Sequence, residues 1–487
     1  MRLTTVTQMS LPPGRLRSYA ARVGDLGDAV PISFDQGRHV AVGDRPGSWM
    51  AFSFRVPEAT SGGDLEHAWL GLIARHGTLR TVFTHDEGAI GLREANMLPG
   101  EWTEHDVPEG MPVRDVLRGV LDRICRPFAR PSHALCVVRP APGESDPRPI
   151  VIIAGDHSHL DMWSLAVAAR DLLAALEEAT DAAEDAAPVA DAVAAFAEHT
   201  AMLAAAPPAP AEIAERWATI MEAGGGMMPA FPLDLGLERS PRRHGPPPLG
   251  RSPQEAQPSS EEPPRTTPPA TGDAGPISGA AIVEVRDVLD ADGLNRLEQR
   301  AAALGVRTLT LTISVLTEVT LRLAGQPLRV VFPVHSRHEP RWRDALGWFV
   351  TNSVLESDDP DPQACVARVR EAVSLGGYPL GPLLEPYGGM RTPPGMFALS
   401  WLDLRRLPVP QDADLKAQYV SAAASTDDVM VWFVTARDGM HLRARYPDTP
   451  EATASVRRWL AAVEDGLRAH AAAGTTPGSR ELIEPRE

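Results

Sequence analysis

Ile150-Val151-Ile152-Ile153-Ala154-Gly155-Asp156-His157-Ser158-His159-Leu160-Asp161-Met162-Trp163-Ser164 is the stretch on which the reading of this chain turns. The apolar run Ile150 to Ile153 gives way to polar residues. A helical pattern then follows in Leu165, Ala168, Leu172, Leu173 and Leu176. The polar cluster is therefore expected where a strand ends and a helix begins. Such a strand end is a rigid place to hold an imidazole that has to act as a base. Two chemistries fit the letters: acyl transfer assisted by one histidine, and a metal site.

Composition bounds the rest. A chain of 487 residues exceeds one ordinary core, so two domains or lobes are expected. A formal charge of -17 argues against nucleic acid or an anionic membrane as the main partner and is compatible with a soluble enzyme. No apolar run approaches the roughly 20 residues of a membrane span. The start, Met1-Arg2-Leu3-Thr4-Thr5, lacks the layout of a secretory signal. Cys125, Cys136 and Cys365 are odd in number and show no C-x-x-C spacing, so a reducing cytoplasm is the simplest location.

From about Pro241 to Pro276 the chain is rich in Pro, Ser and Glu, too polar to offset its own conformational entropy by burial. This gives an N-terminal lobe over 1–236, a disordered linker over 237–278 and a C-terminal lobe over 279–487. Both lobes read as mixed α/β. Strands are expected at Trp49–Val56, Thr81–Phe83, Ala134–Val138 and Ile150–Ile153, then at Ala281–Val285, Leu328–Val334 and Met430–Val434. Helices are expected at Leu65–Arg75, Leu165–Leu176, Val189–Leu203, Ala291–Leu304, Thr310–Leu323 and Ala452–Ala472.

Read as metal ligands, His157-x-His159-x-Asp161 resembles the first half of the metallo-β-lactamase signature H-x-H-x-D-H. The next ligand of that pattern is replaced by Met162, and only His335 and His338 are spare candidates. A metallohydrolase of this kind would hold one or two zinc ions.

Read as an acyl-transfer site, the same stretch resembles the H-H-x-x-x-D-G motif of the condensation-domain and chloramphenicol-acetyltransferase superfamily. Asp156 stands at the first histidine, His157 at the second, Asp161 at the aspartate and Met162 at the glycine. Trp163-Ser164 match the W-S that often follows. Other blocks occur in the right order. Ser33-Phe34-Asp35-Gln36-Gly37-Arg38 is similar to S-x-x-Q-x-R, and Arg75 to Phe83 to R-H-x-x-L-R-T-x-F. Val334-His335-Ser336-Arg337 resembles the strand-ending "sGR" block, and Gly347 to Asn352 resembles G-x-F-V-N-T. Phe231 to Gly236 and Trp401 to Pro408 look like polyketide-associated acyltransferases, the ester-forming branch.

The resemblance implies an α/β fold of two chloramphenicol-acetyltransferase-like lobes, a V-shaped pseudo-dimer with an inter-lobe tunnel. It implies transfer of an acyl group from coenzyme A or carrier-protein phosphopantetheine to a hydroxyl or amine, with no bound cofactor and no metal. An acyl or peptidyl carrier protein and a small-molecule acceptor are the implied partners. His157 takes the role of base. Asp161, Asp156 and Arg337 support the site, Arg337 as the partner of Asp161. Trp163, Met162, Thr351 and Asn352 are candidates for the substrate path.

The departures Asp156 and Met162 leave a second reading open: a non-catalytic condensation-like fold that binds a carrier protein or partner enzyme. Plainer roles exist as well. Asp161 is a good helix N-cap, and His159 reads as a satisfied loop or surface histidine.

Overall fold

The computed structural model describes residues 2–86, 88–181, 193–237, 281–410, 412–422 and 426–473. The expected linker at 237–278 lies, apart from Leu237, outside the described residues.

In chain order the strands are β1 (Arg2–Thr5), β2 (Gly14–Ala29), β3 (Trp49–Arg55), β4 (Thr81–Asp86), β5 (Ala89–His105), β6 (His133–Pro140) and β7 (Ile150–Asp156). The remainder are β8 (Ala281–Asp290), β9 (Leu328–His335), β10 (Val350–Ser357), β11 (Phe397–Asp403), β12 (Gln418–Ser421), β13 (Val429–Ala436) and β14 (Gly439–Pro447). They form an eight-stranded sheet, β1-β12-β3-β7-β6-β2-β5-β4, and a six-stranded one, β10-β9-β11-β13-β14-β8. The mixed α/β architecture expected from the sequence is what the chain adopts.

The helices are α1 (Phe34–Val40), α2 (Gly62–Arg75), α3 (Val113–Ile124), α4 (Met162–Asp181), α5 (Phe196–Ala204) and α6 (Ala211–Ala223), followed by α7 (Ala291–Ala303), α8 (Thr308–Ala324), α9 (Pro362–Leu375), α10 (Leu380–Leu384) and α11 (Pro450–Ala473). The helix expected at Val189–Leu203 is realised only as α5, since Val193 to Ala195 are not helical and 182–192 lie outside the described residues. Capping boxes fix two helix starts, Ser33 with Gln36 for α1 and Ser61 with Asp64 for α2.

Strand β7 is buried on both faces, which is why it reads as an unbroken apolar run. Phe52, Phe54, Leu135, Val151 and Ile153 face one core with Leu65, Trp69, Leu165 and Leu172 of α2 and α4. Ala51, Cys136, Ile150 and Ile152 face another, closed by Leu117, Val120 and Leu121 of α3. In the second sheet Val431, Phe433 and Leu442 pack under Leu311, Val315, Trp459 and Leu460 of α8 and α11.

The two halves exchange a strand. β12 comes from the C-terminal half yet lies in the first sheet, parallel to β1 and antiparallel to β3. Tyr419 sits opposite Phe52 and against its ring, 4.5 Å between centroids. Boundaries at 236 and 279 miss this insertion, because a strand of four residues leaves too little periodicity to register.

Candidate active site

The site begins where β7 ends. Asp156 closes the strand, a turn carries Ser158 and His159, and Asp161 starts α4: its Oδ1 accepts from the Ser164 N–H at 2.6 Å and its carbonyl from Leu165 N–H at 3.1 Å. The cap and the helix macrodipole both favour a carboxylate at this position.

His157 is half-buried. Its Nδ1 donates to the Leu160 carbonyl at 2.9 Å. That bond fixes the tautomer, leaving Nε2 as the ring's acceptor, and Nε2 has no protein partner among the described residues. The imidazole lies flat on the indole of Trp348, with centroids 3.9 Å apart and planes 5° from parallel. Burial, then the neighbouring His39, push the His157 pKa below the ordinary 6.5. The neutral ring is therefore the prevailing form at neutral pH, as a general base requires.

Asp156 and His159 turn away from His157. Asp156 is fully buried and accepts from the Ser158 N–H at 2.9 Å, the Ser158 hydroxyl at 2.5 Å and the Ser48 hydroxyl at 2.5 Å. His39 Nε2 lies 3.1 Å from its Oδ1. Arg45 Nη2 lies 3.1 Å from His39 Nδ1, on the other side of the ring. Burial raises the Asp156 pKa, but His39 and the two hydroxyls outweigh it and hold the carboxyl down to about 2. His159 Nε2 faces the Thr81 carbonyl at 3.2 Å, and its Nδ1 faces the Ser132 and Ser158 hydroxyls at 3.0 Å. It is a satisfied core histidine.

Asp161 is met by Arg337, whose Nη2 lies 3.1 and 3.2 Å from the two carboxylate oxygens. Nη1 of the same guanidinium donates to the carbonyls of Trp342 at 2.6 Å and Ala345 at 2.5 Å. The Phe349 N–H donates to Asp161 Oδ2 at 3.0 Å, and the Phe349 ring lies under the guanidinium at 3.9 Å. One buried ion pair thus ties the His157 turn to the loop that carries Trp348.

The geometry corrects the metal reading. His157, His159 and Asp161 go to three different places, and among the described residues no three His, Cys, Asp or Glu side chains converge on one point. All three lie past the end of β7 at Asp156, so no strand alternation holds them on one face.

Met162 is the first residue of α4 and packs with Trp163 against the core of the first lobe. Lys416 is the only non-glycine described residue at positive φ, so the backbone at Met162 does not need a glycine. Trp163 Nε1 donates to the Arg343 carbonyl at 2.7 Å. Asn352 Nδ2 donates to Asp35 at 3.0 Å, and the Thr351 side chain also bonds that carboxyl, whose pKa burial raises.

Helix α1 supplies what residue-by-residue reading of the motif missed. Gln36 Nε2 donates to the Ser158 carbonyl at 2.8 Å, Asp35 holds Asn352, and His39 holds Asp156. Positions 35, 36 and 39 share one face at helical spacing. That spacing was legible; that the face meets the end of β7 was not. Trp348 was within a quoted block without a role.

No family model matches this chain, and no curated protein does. Solved structures match over nearly its whole length. PapA2 acyl transferase superposes with a TM-score of 0.76 at 19% identity, covering 97% of this chain and 100% of its own. The first condensation domain of the CDA synthetase gives 0.61 at 15% identity, with 92% and 98% covered. SgcC5 from Streptomyces globisporus gives 0.60 at 16%, with 92% and 100% covered. This chain has the two-lobed fold of condensation domains and of the PapA2 acyl transferase.

Proposed function

We propose that the protein is an acyltransferase that moves an acyl group from a coenzyme A or carrier-protein phosphopantetheine thioester to a hydroxyl or amine, in natural-product or lipid assembly. The observation that carries this reading is the state of His157. Its Nδ1 is spent on Leu160, its Nε2 is free, and its ring is held on Trp348 where the two halves of the chain meet.

Nε2 takes the proton of the acceptor as its oxygen or nitrogen attacks the thioester carbonyl carbon. The tetrahedral intermediate collapses, the C–S bond breaks, and the leaving thiolate recovers the proton from the imidazolium. A base so placed contributes roughly 100- to 10,000-fold, and the pairing of two bound substrates adds to it. The donor is carried on coenzyme A or on a carrier protein.

The motif's two departures are absorbed locally. Asp156 is matched by His39, Ser48 and Ser158, and Met162 continues a regular helix. The test is thiol release from a panel of acyl-coenzyme A and acyl-pantetheine thioesters with alcohol and amine acceptors. Product is detected by mass, comparing the wild type with His157→Ala. Turnover lost in the variant supports the reading. A wild type that binds an acyl carrier protein yet turns over none of its thioesters favours a carrier-binding module instead.

A further inference from the structure

On the second sheet, β13 and β14 pair antiparallel with Trp432 opposite Arg443 and Met430 opposite Arg445. Val434, one pair further along the same face, belongs to the core of the first lobe, so this face looks toward the other half of the molecule. Ser400 of β11 lies beside Trp432 on the same row. The face is covered by the strand exchange: Arg443 Nη2 donates to the hydroxyl of Ser421 on β12 at 2.9 Å.

Arg443 is 3% exposed and stacks its guanidinium 4.5 Å from the Trp432 ring centre. The Ser421 hydroxyl is its one hydrogen-bond acceptor among the described residues, and its Nε has none. Arg445, two residues on and on the same face, is half-buried; among the described residues it meets only the sulfur of Met430 and also leaves Nε without an acceptor. Neither guanidinium has a salt bridge among the described residues, although Asp428 lies near enough to Arg445 to offset part of its burial. Burial, then the charge of Arg445, pull the Arg443 pKa down to about 9.

Two like charges side by side, one buried and one half-buried, with ten donor positions and few acceptors among the described residues, are costly unless an anion accompanies them. Arg337, the other fully buried arginine among the described residues, leaves its Nε without an acceptor too but has Asp161, two carbonyls and Ser164 for its terminal nitrogens. The planar fork of arginine suits a tetrahedral or carboxylate oxyanion, and the wall that holds it is continuous with Ser400 and Trp432 between the two halves.

We infer that Arg443 and Arg445 form an oxyanion-binding subsite, which takes a phosphate, sulfate or carboxylate group carried by one of the two substrates. That the anion belongs to a substrate rests on the acyl-transfer reading; that an anion binds does not. Two sources share this chemistry: the phosphate of a pantetheinyl donor, and an acidic group on the acceptor.

The first experiment needs no turnover. Tryptophan fluorescence and melting temperature of the full chain are followed on titration with sodium sulfate and sodium phosphate, against sodium chloride at equal ionic strength. The expected result is a saturable change in the wild type that is lost in Arg443→Gln and Arg445→Gln. Arg443→Met serves as a second variant: its melting temperature without anion should equal or exceed that of the wild type, because a lone buried charge is gone. A wild type that responds to sulfate and phosphate only as it does to chloride would overturn the inference. So would a saturable response that survives in both glutamine variants.

The second experiment names the source. Pantetheine and 4′-phosphopantetheine thioesters are compared as donors, and neutral and sulfated or phosphorylated forms of one alcohol as acceptors. In Arg443→Gln, KM for the charged form of one substrate should rise roughly tenfold or more while its neutral form is unaffected. A rise for the phosphorylated donor identifies the pantetheinyl phosphate, and a rise for the acidic acceptor identifies the acceptor. An equal change for charged and neutral forms overturns the subsite. Saturable anion binding without turnover of any thioester leaves the subsite standing and removes the acyl-transfer reading.

Discussion

The imidazole of His157, just past the end of β7, rests on the indole of Trp348 from the C-terminal half, 3.9 Å between ring centres and 5° from parallel. The stack confines the ring in one dimension and the Nδ1 bond to Leu160 confines it in another. Nε2 is thereby presented without a protein partner and without rotational freedom, a preorganisation that a strand end alone would not give.

His157→Ala should lower kcat by roughly 100- to 10,000-fold with a much smaller change in KM. His157→Gln, which keeps a polar group in the slot, should not restore activity. Steady-state thiol release checks both, and a variant within threefold of the wild type would remove His157 from the chemistry.

The pH profile separates the two neighbours of His157. On the proposed reading His157 acts in its neutral form, so activity should fall as pH drops through its pKa, which lies below the ordinary 6.5 in this environment. His39 lowers that value, so His39→Gln should move the acid limb of kcat/KM to higher pH. Asp156 raises it, so Asp156→Asn should move the limb to lower pH. Shifts of the same sign in both variants would show that the two residues act on folding rather than on the imidazole.

Asp156 also predicts an acid sensitivity. Its folded pKa, about 2, lies below the ordinary 3.8, so the carboxylate's contribution to stability is fully present above about 4. It is lost as pH falls from there toward 2. Urea unfolding at pH 6 and pH 3 should show a smaller loss on acidification in Asp156→Asn than in the wild type.

Removing one partner of the Asp161–Arg337 pair strands the other in a buried site. Arg337→Met should therefore cost about 3–5 kcal/mol in chemical unfolding. The double variant Asp161→Asn, Arg337→Met should cost less than the sum of the single changes, because no lone charge remains. Additive losses would mean that the two side chains are not coupled.

Gly347 carries the loop between Arg337 and Trp348 against α5. A Cβ there would sit 2.4 Å from Cγ of Phe196. Gly347→Ala should destabilise by about 1–3 kcal/mol through overpacking. In a Phe196→Ala background the same change should still destabilise, because Cβ of residue 196 stays 2.6 Å from the new methyl and the backbone at Gly347 keeps its φ of 158°. A thermal-melt cycle would read this directly.

Much of the molecule was legible in the letters because it obeys short periods. β7 is a continuous apolar run since both its faces are covered, and α4, α7, α8 and α11 repeat their apolar residues at helical spacing. The order of short blocks pointed to two lobes and to His157. The letters were mute where a residue's role depends on a distant chain segment. His39 and Asp156 are 117 positions apart, and Asp161 and Arg337 are 176 apart. Neither separation leaves a periodic trace.

The sequence by itself determined the elements, the site turn and the identity of the candidate base, since these follow from local patterning and from side-chain chemistry. Only the tertiary structure decided which of His157, His159 and Asp161 is free to react. It also decided that β12 would cross between sheets and that Arg443 and Arg445, one buried and one half-buried, would have no salt-bridged carboxylate among the described residues. The reason is physical: burial, hydrogen-bond partners and field are set by whatever packs around a side chain. In this chain those neighbours are distant in sequence, His39 in the same half and Trp348 and Arg337 in the other.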